Sequence, residues 1–186
     1  MHLRSEFILG GQRSGKSRCG ERRAADWLAQ PGHRAVLLAT ALGGDDEMRA
    51  RIRRHQVDRA ERVPAMALDE VPRDLADAIR RHSAPACLVL VDCLTLWLTQ
   101  WLMPLEGPPV EPARWLAVLA DLEAALQAAP GPVVLVSNEI GLGLSPMSRE
   151  ARHYVDELGR LHQQVAARCP RVTLMVAGLE MAVKPW

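Results

Sequence analysis

Apolar residues fall into short continuous runs, separated by longer stretches in which they recur every three or four positions. The runs are Phe7-Ile8-Leu9, Arg34 to Ala39, Cys87 to Asp92, Val133 to Ser137 and Val172 to Ala177. Short apolar runs without alternation predict strands covered on both faces, as in a parallel sheet. Between them the spacing predicts helices over Arg18 to about Gln30, Asp45 to Arg59, Pro72 to His82, Leu94 to Met103, Pro112 to Ala128 and Arg149 to Arg168. Pro31-Gly32 stops the first helix, and Asp45, Asp46 and Glu47 stand at the positive end of the second. In the third, Leu75, Ala78 and Ile79 share one face, which marks a surface helix packed on the sheet. Glu61 to Asp69 reads as polar and irregular, with a short strand at Ala65 to Leu68. The end of the chain, Val172 to Ala177, a turn at Gly178-Leu179 and Met181 to Lys184, reads as an edge hairpin. Together these predict one α/β domain over residues 1–186: a mostly parallel central sheet flanked by helices, closed by the hairpin.

Composition narrows the setting. The chain has 186 residues, 48% hydrophobic and 24% charged, enough to bury a real core. A net charge of +1 gives no global field to recruit nucleic acid or an anionic membrane, so any phosphate binding must be local. Cys19, Cys87, Cys93 and Cys169 form no C-x-x-C pair, which suits reduced, buried thiols in a cytoplasmic protein. The first apolar run is too short for a signal peptide. Asp92, Thr95, Thr99 and Gln100 interrupt the apolar stretch Ala86 to Met103, so a buried strand and helix are expected there, not a membrane span. Trp97 and Trp101, at helical spacing within it, read as core or subunit-contact residues.

Candidate chemistry starts immediately after the first run. Gly10-Gly11-Gln12-Arg13-Ser14-Gly15-Lys16-Ser17 fits G-x-x-x-x-G-K-[ST] between a strand and a helix, the context of the phosphate-binding loop of P-loop NTPases. Glycines let consecutive backbone N–H groups and the start of the helix point at phosphate oxygens. Lys16 is then expected to bridge the β- and γ-phosphates, and the Ser17 hydroxyl to ligate Mg²⁺. Asp92, closing an apolar strand, is the matching candidate for a carboxylate that holds Mg²⁺ through water.

Three further segments fit around a nucleotide. The small-residue loop Thr40 to Gly44 follows the second strand and suits either a ligand or an ordinary connection. Arg49, Arg51, Arg53, Arg54, Arg59 and Arg62 make a dense basic patch, either a solvated face or a surface that closes over a nucleotide. His55 lies within it, one turn after Arg51. Asn138 and Glu139 follow the fourth apolar run, at the edge where α/β sheets gather ligands, and are candidates for orienting an acceptor or metal water, with helix capping as the alternative. His153 and His162 read as solvated or hydrogen-bonded helical residues.

In order along the chain, G-G-Q-R-S-G-K-S at Gly10, A-T-A at Ala39, D-x-E-M-x-x-R-I-x-x-H from Asp45 to His55, V-D-C-L-T-L-W-L at Val91, S-N-E-I-G-L-G at Ser137 and V-A-G-L at Val176 resemble one family. It is the bifunctional adenosylcobinamide kinase and adenosylcobinamide-phosphate guanylyltransferase of cobalamin biosynthesis. The resemblance implies γ-phosphate transfer from ATP or GTP to the aminopropanol hydroxyl of adenosylcobinamide. It also implies transfer of GMP from GTP to the resulting phosphate, giving adenosyl-GDP-cobinamide and pyrophosphate. It places a guanylylated histidine at His55, nucleotide contacts at Gly10 to Ser17, Ala39, Thr40, Ala41, Gln56, Val57, Asp58, Arg59 and Asp92, and a homotrimer with its site near a subunit boundary. The family's nucleotide-binding Glu falls by spacing on Ala67, and Asp69 and Glu70 lie slightly beyond, where a small insertion restores it. Val63 and Pro64 depart from the family's aromatic-basic pair.

Residue chemistry is compatible with this. An unperturbed histidine, with a pKa of about 6.5, is mostly neutral at cytosolic pH and able to attack phosphorus. Arg51 and Arg54 are expected to disfavour its protonation and to stabilise departing pyrophosphate. Two other readings stand beside this one. One is a plain P-loop kinase for another small alcohol, using Lys16, Ser17 and Asp92; the other is a nucleotide switch or nucleic-acid-binding module using the arginine patch. Because attack at the α- and γ-phosphorus comes from different directions, the helix carrying His55 is expected to move toward Gly10 to Ser17 when GTP binds.

Overall fold

The computed structural model describes residues 5–184, with every side chain except that of Arg51. Seven strands form one sheet in the order β3-β2-β4-β5-β1-β6-β7. They are β1 (Glu6–Gly10), β2 (Arg34–Ala39), β3 (Ala67–Glu70), β4 (Cys87–Asp92), β5 (Val133–Asn138), β6 (Arg171–Val176) and β7 (Leu179–Lys184). All neighbours pair in parallel except β6 and β7, which form the antiparallel edge hairpin. The helices are α1 (Lys16–Leu28), α2 (Asp46–Arg62), α3 (Leu75–His82), α4 (Leu94–Leu102), α5 (Pro112–Ala128) and α6 (Arg149–Arg168).

Strand side chains alternate between two apolar layers. Phe7, Val36, Leu38, Val89, Val91, Val133 and Leu135 pack with residues of α3, α4, α5 and α6. Ile8, Leu37, Leu88, Leu90, Val134 and Val136 face Cys19, Ala24 and Trp27 of α1. Both faces of the central strands are therefore dry, which is why they read as unbroken apolar runs. Trp97 and Trp101 belong to the first layer, where each ring lies against Trp115, with centroids 5.5 and 6.5 Å away.

Three of the boundaries that differ from the sequence reading have a clear local cause. Helix α2 runs one turn further, to Arg62, where Val63 N donates to Arg59 O and the buried Val63 side chain ends it. Met66 N then turns back to Val63 O, so β3 begins at Ala67 and not Ala65. Helix α3 starts at Leu75 because Pro72 to Asp74 form a turn, with Leu75 N donating to Arg73 O.

Helix α2 differs from the others in its packing. Among the described residues it buries no side chain, whereas every other helix buries at least four. At its N-terminus Asp45 caps it by accepting from Met48 N at 2.7 Å. At its C-terminus Arg62 donates to Glu21 of α1 at 2.8 Å.

Candidate functional site

The carboxyl ends of β3, β2, β4, β5 and β1 form one rim. Ala39 is in register with both Glu70 and Asp92, and Gly10 with Asn138. Gly10 opens the loop that leads into α1. A Cβ on Gly10 would lie 2.6 Å from Met175 O and 2.6 Å from Ser14 Oγ. Arg13 and Gly15 both take left-handed backbone, with φ of 55° and 98°. Ser14 N closes the turn onto Gly11 O, and Gly178 N from the β6–β7 turn donates to Ser14 O at 3.0 Å. Gly11, Gln12 and Arg13 are exposed while Ser14 and Lys16 are buried. Lys16 Nζ donates to Gly11 O at 2.6 Å, so the ammonium lies across the loop.

Helix α1 starts without a side-chain cap and without an acidic residue in its first turn. Its leading N–H groups and partial positive charge therefore suit an anion. Ser17 is in that first turn and, like Asp92 at the end of β4, is partly exposed. A serine hydroxyl and one carboxylate are hard oxygen donors that fit Mg²⁺ when phosphates and water complete its shell. Among the described residues no three His, Cys, Asp or Glu side chains converge on a cation.

Beside Asp92, the Asp92–Cys93 peptide is cis, and Thr40 holds its far side. Thr40 Oγ1 donates to Cys93 O at 2.7 Å and accepts from Cys93 N at 2.9 Å, fully buried. The Thr40 side chain is thus committed to joining β2 to β4, while Ala39 and Ala41 stay partly exposed at the rim. Burial pushes the Cys93 thiol up to about 12, which leaves it inert next to the site.

Register separates the two acidic candidates of β3. Asp69 pairs with Leu38 and faces the α3 side, where its carboxylate takes His82 Nε2 at 2.8 Å and Arg81 at 3.3 Å. The His82 contact, then the Arg81 contact, hold its carboxyl below the usual range. Glu70 pairs with Ala39 and alternates to the other face, shared with α1, where it is exposed at the rim. Strand geometry therefore leaves Glu70, not Asp69, free to meet a ligand beside Ala39.

His55 is exposed on α2, as is Val57, while Gln56, Asp58 and Arg59 are partly buried. Asp58 pairs with Arg62 at 3.3 Å, one turn on. Arg54 is exposed, and the side chain of Arg51, expected next to His55, lies outside the described residues.

Sequence reasoning did not single out the polar chain beneath β5. His162 of α6 is buried, its Nε2 lies 2.8 Å from Ser137 Oγ, and its Nδ1 lies 3.6 Å from Glu139 Oε2. Ser137 Oγ lies 3.0 Å from Thr95 Oγ1, which accepts from Asn138 N at 2.8 Å. A signal was present: His162 sits four residues after Leu158 and three before Val165, on the apolar stripe of α6.

Known proteins place the chain clearly. The family model described as cobinamide kinase / cobinamide phosphate guanyltransferase matches residues 6–183. The bifunctional adenosylcobalamin biosynthesis protein CobP of Pseudomonas aeruginosa is 45% identical over 179 residues, covering 96% of each chain. The corresponding CobU protein of Escherichia coli is 36% identical over 187 residues, covering 96% of this chain and 98% of that one. Among solved structures, one ATPase domain has a TM-score of 0.50 at 12% identity, over 92% of this chain and 68% of that one. The PH0250 protein of Pyrococcus horikoshii OT3 has a TM-score of 0.54 at 7% identity, over 99% and 88%. These two structures speak for the fold alone. The match along residues 6–183, with two relatives above 30% identity over nearly their full lengths, shows that the chain belongs to the cobinamide kinase / cobinamide phosphate guanyltransferase family.

Proposed function

We propose that the protein phosphorylates adenosylcobinamide with ATP or GTP and then transfers GMP from GTP to the product through a guanylylated His55. In the first reaction the acceptor hydroxyl oxygen bonds to the γ-phosphorus, and the bond from that phosphorus to the β–γ bridging oxygen breaks, releasing nucleoside diphosphate. In the second, an imidazole nitrogen of His55 bonds to the α-phosphorus and pyrophosphate leaves. A phosphate oxygen of adenosylcobinamide phosphate then displaces the imidazole, giving adenosyl-GDP-cobinamide. The observation that carries this reading is the pairing of two unlike parts. One is a buried Lys16 at the uncapped start of α1; the other is an exposed histidine on a helix with no buried side chain among the described residues.

Gly10 to Ser17 would hold the triphosphate by backbone N–H groups and the Lys16 ammonium in both reactions. Ser17 and Asp92 would hold Mg²⁺, which when bound neutralises charge on the phosphates. Glu70, with Ala39 and Ala41 beside it on the rim, and Gln56 to Arg59 after the histidine, would contact the nucleotide. The proposed assembly is a homotrimer in the cytoplasm. Exposed apolar residues on β7 (Leu179, Met181 and Val183) and four free, buried cysteines support these last two points. No described helix is long and apolar enough to cross a membrane.

The test is incubation with Mg²⁺ and GTP labelled on the α- or the γ-phosphate. A covalent, acid-labile α-label on the protein, abolished by His55→Ala while γ-label still reaches adenosylcobinamide, is the expected result. Cobinamide phosphorylation without any α-label on the protein would leave a plain kinase.

A further inference from the structure

Glu139 is the first residue after β5, and its backbone N–H donates to Gly10 O at 2.9 Å. Its carboxylate is thereby fixed at the rim between the strand that ends in Asp92 and the strand that enters the phosphate loop. One oxygen, Oε1, accepts from Gly141 N at 2.6 Å, and the other faces His162 Nδ1 at 3.6 Å. Behind the imidazole runs a line of two hydroxyls that ends on a backbone donor. Asn138 N–H donates to Thr95 Oγ1, and Ser137 Oγ lies 3.0 Å from Thr95 Oγ1 and 2.8 Å from His162 Nε2, placed to donate to that nitrogen. With Ser137 donating to Nε2, the proton of a neutral ring is on Nδ1, the nitrogen that faces Glu139. Burial, opposed by the Glu139 carboxylate, pulls the His162 pKa below its ordinary value, which favours that neutral ring.

A buried polar chain of this kind is costly unless every member is bonded. Here Asn138 N, Thr95, Ser137 and His162 Nε2 are linked in series, and the Nδ1 side of the ring faces one partly exposed carboxylate. His162 reaches Glu139 from the α6 side of the sheet, opposite the face that carries α1 and its phosphate-binding N-terminus. On that same side a cavity of about 220 Å³ opens one residue further on, between the loop beginning at Ile140 and Val155 of α6. Arg152 clamps the loop by donating to Pro146 O at 3.0 Å and Met147 O at 2.7 Å. A donor triphosphate held over α1 and an acceptor entering from the α6 side would meet at Glu139.

We propose that Glu139 is the general base of phosphoryl transfer, and that His162 is the positioning residue that fixes its carboxylate. The proposal rests on the kinase reading above. The acceptor hydroxyl gives its proton to a Glu139 oxygen as its own oxygen bonds to the γ-phosphorus. The bridging oxygen leaves with the electron pair of the broken bond, and Glu139 returns its proton to water after product release. The adjoining cavity is too small for a corrin ring but accommodates the short aliphatic arm that carries a secondary alcohol.

The full chain, with Mg²⁺, is assayed for γ-label transfer into adenosylcobinamide and for GTP affinity by calorimetry. Glu139→Gln, which keeps an oxygen for Gly141 N–H, is expected to lower kcat for γ-transfer by about 10²- to 10⁴-fold, with GTP affinity within about threefold of wild type. His162→Leu is expected to lose part of the same rate, and His162→Asn, whose amide N–H replaces Nδ1–H, to recover it. Wild-type γ-transfer with an unimpaired Glu139→Gln overturns the general base alone, as does a parallel loss of GTP affinity, which would mark a structural role. Equal rates in the Leu and Asn variants overturn the positioning role of His162. A wild-type protein that moves no γ-label into adenosylcobinamide overturns the kinase reading itself, and this proposal with it.

Discussion

At the scale of single residues, the loop at Gly10 to Ser17 is legible because its chemistry is local: glycines, a lysine and a serine at fixed spacing need no partner to be recognised. Gly10 also carries a constraint that spacing does not show. The backbone of β6 presents Met175 O 2.6 Å from where a Cβ would stand, and that carbonyl is held in the sheet. Gly10→Ala is expected to destabilise the fold by about 1–3 kcal/mol in urea unfolding. Gly11→Ala, where a Cβ meets nothing within 4 Å, should leave the midpoint close to wild type. Asp69 and Glu70 are not separable from sequence, because the choice depends on register with β2, and register is a property of two strands. Thr40 is the converse case: a polar residue in a stretch expected to contact the nucleotide spends its hydroxyl on Cys93.

At the scale of elements, the central strands are legible because burial on both faces leaves an unambiguous apolar run. Edge strand β3, with four residues and little burial, carries a weaker pattern that places it two residues early. The hairpin strand β7 is held to α1 by charge. Glu180 takes both Arg22 and Arg23, and Arg171 lies 3.5 Å away. The hydrogen bond from Arg23 is the main cause that lowers the Glu180 pKa. A depressed carboxylate contributes stability above its unfolded pKa of about 4.3, and that contribution is lost as pH falls through the folded value. Glu180→Gln should therefore lower the urea midpoint at neutral pH, and its difference from wild type should start to shrink as the pH falls below about 4.3 and close only below the depressed folded-state value. Helix α2 has the opposite character, since it is joined at its ends but buries no described side chain. Its opening free energy is expected to be small, and GTP should raise its amide hydrogen-exchange protection more than that of any other helix. Unchanged exchange across Asp46–Arg62 at saturating GTP would mean that α2 does not close on the nucleotide.

At the scale of the molecule, the sheet order brings residues from distant parts of the chain to one rim, with Gly10, Ala39, Glu70, Asp92 and Glu139 at successive strand ends. The α/β class and the parallel sheet follow from the alternation of apolar runs with helical spacing. The order of the strands does not, and with it goes the nearness of His162 to Glu139, which depends on α6 packing under β5. The same architecture divides labour between its two faces, with α1 alone over one and four helices over the other. The sparse packing of α2 has one more outcome. A core helix must conserve shape to keep its neighbours in place, so most changes in it are felt as lost stability. Among the described side chains of residues 46–62 none is buried, and Arg62 ties the end of the helix to Glu21. That segment is expected to exchange its exposed residues at little cost to folding, so that the chemistry proposed for His55 could be retuned there while the sheet stays untouched.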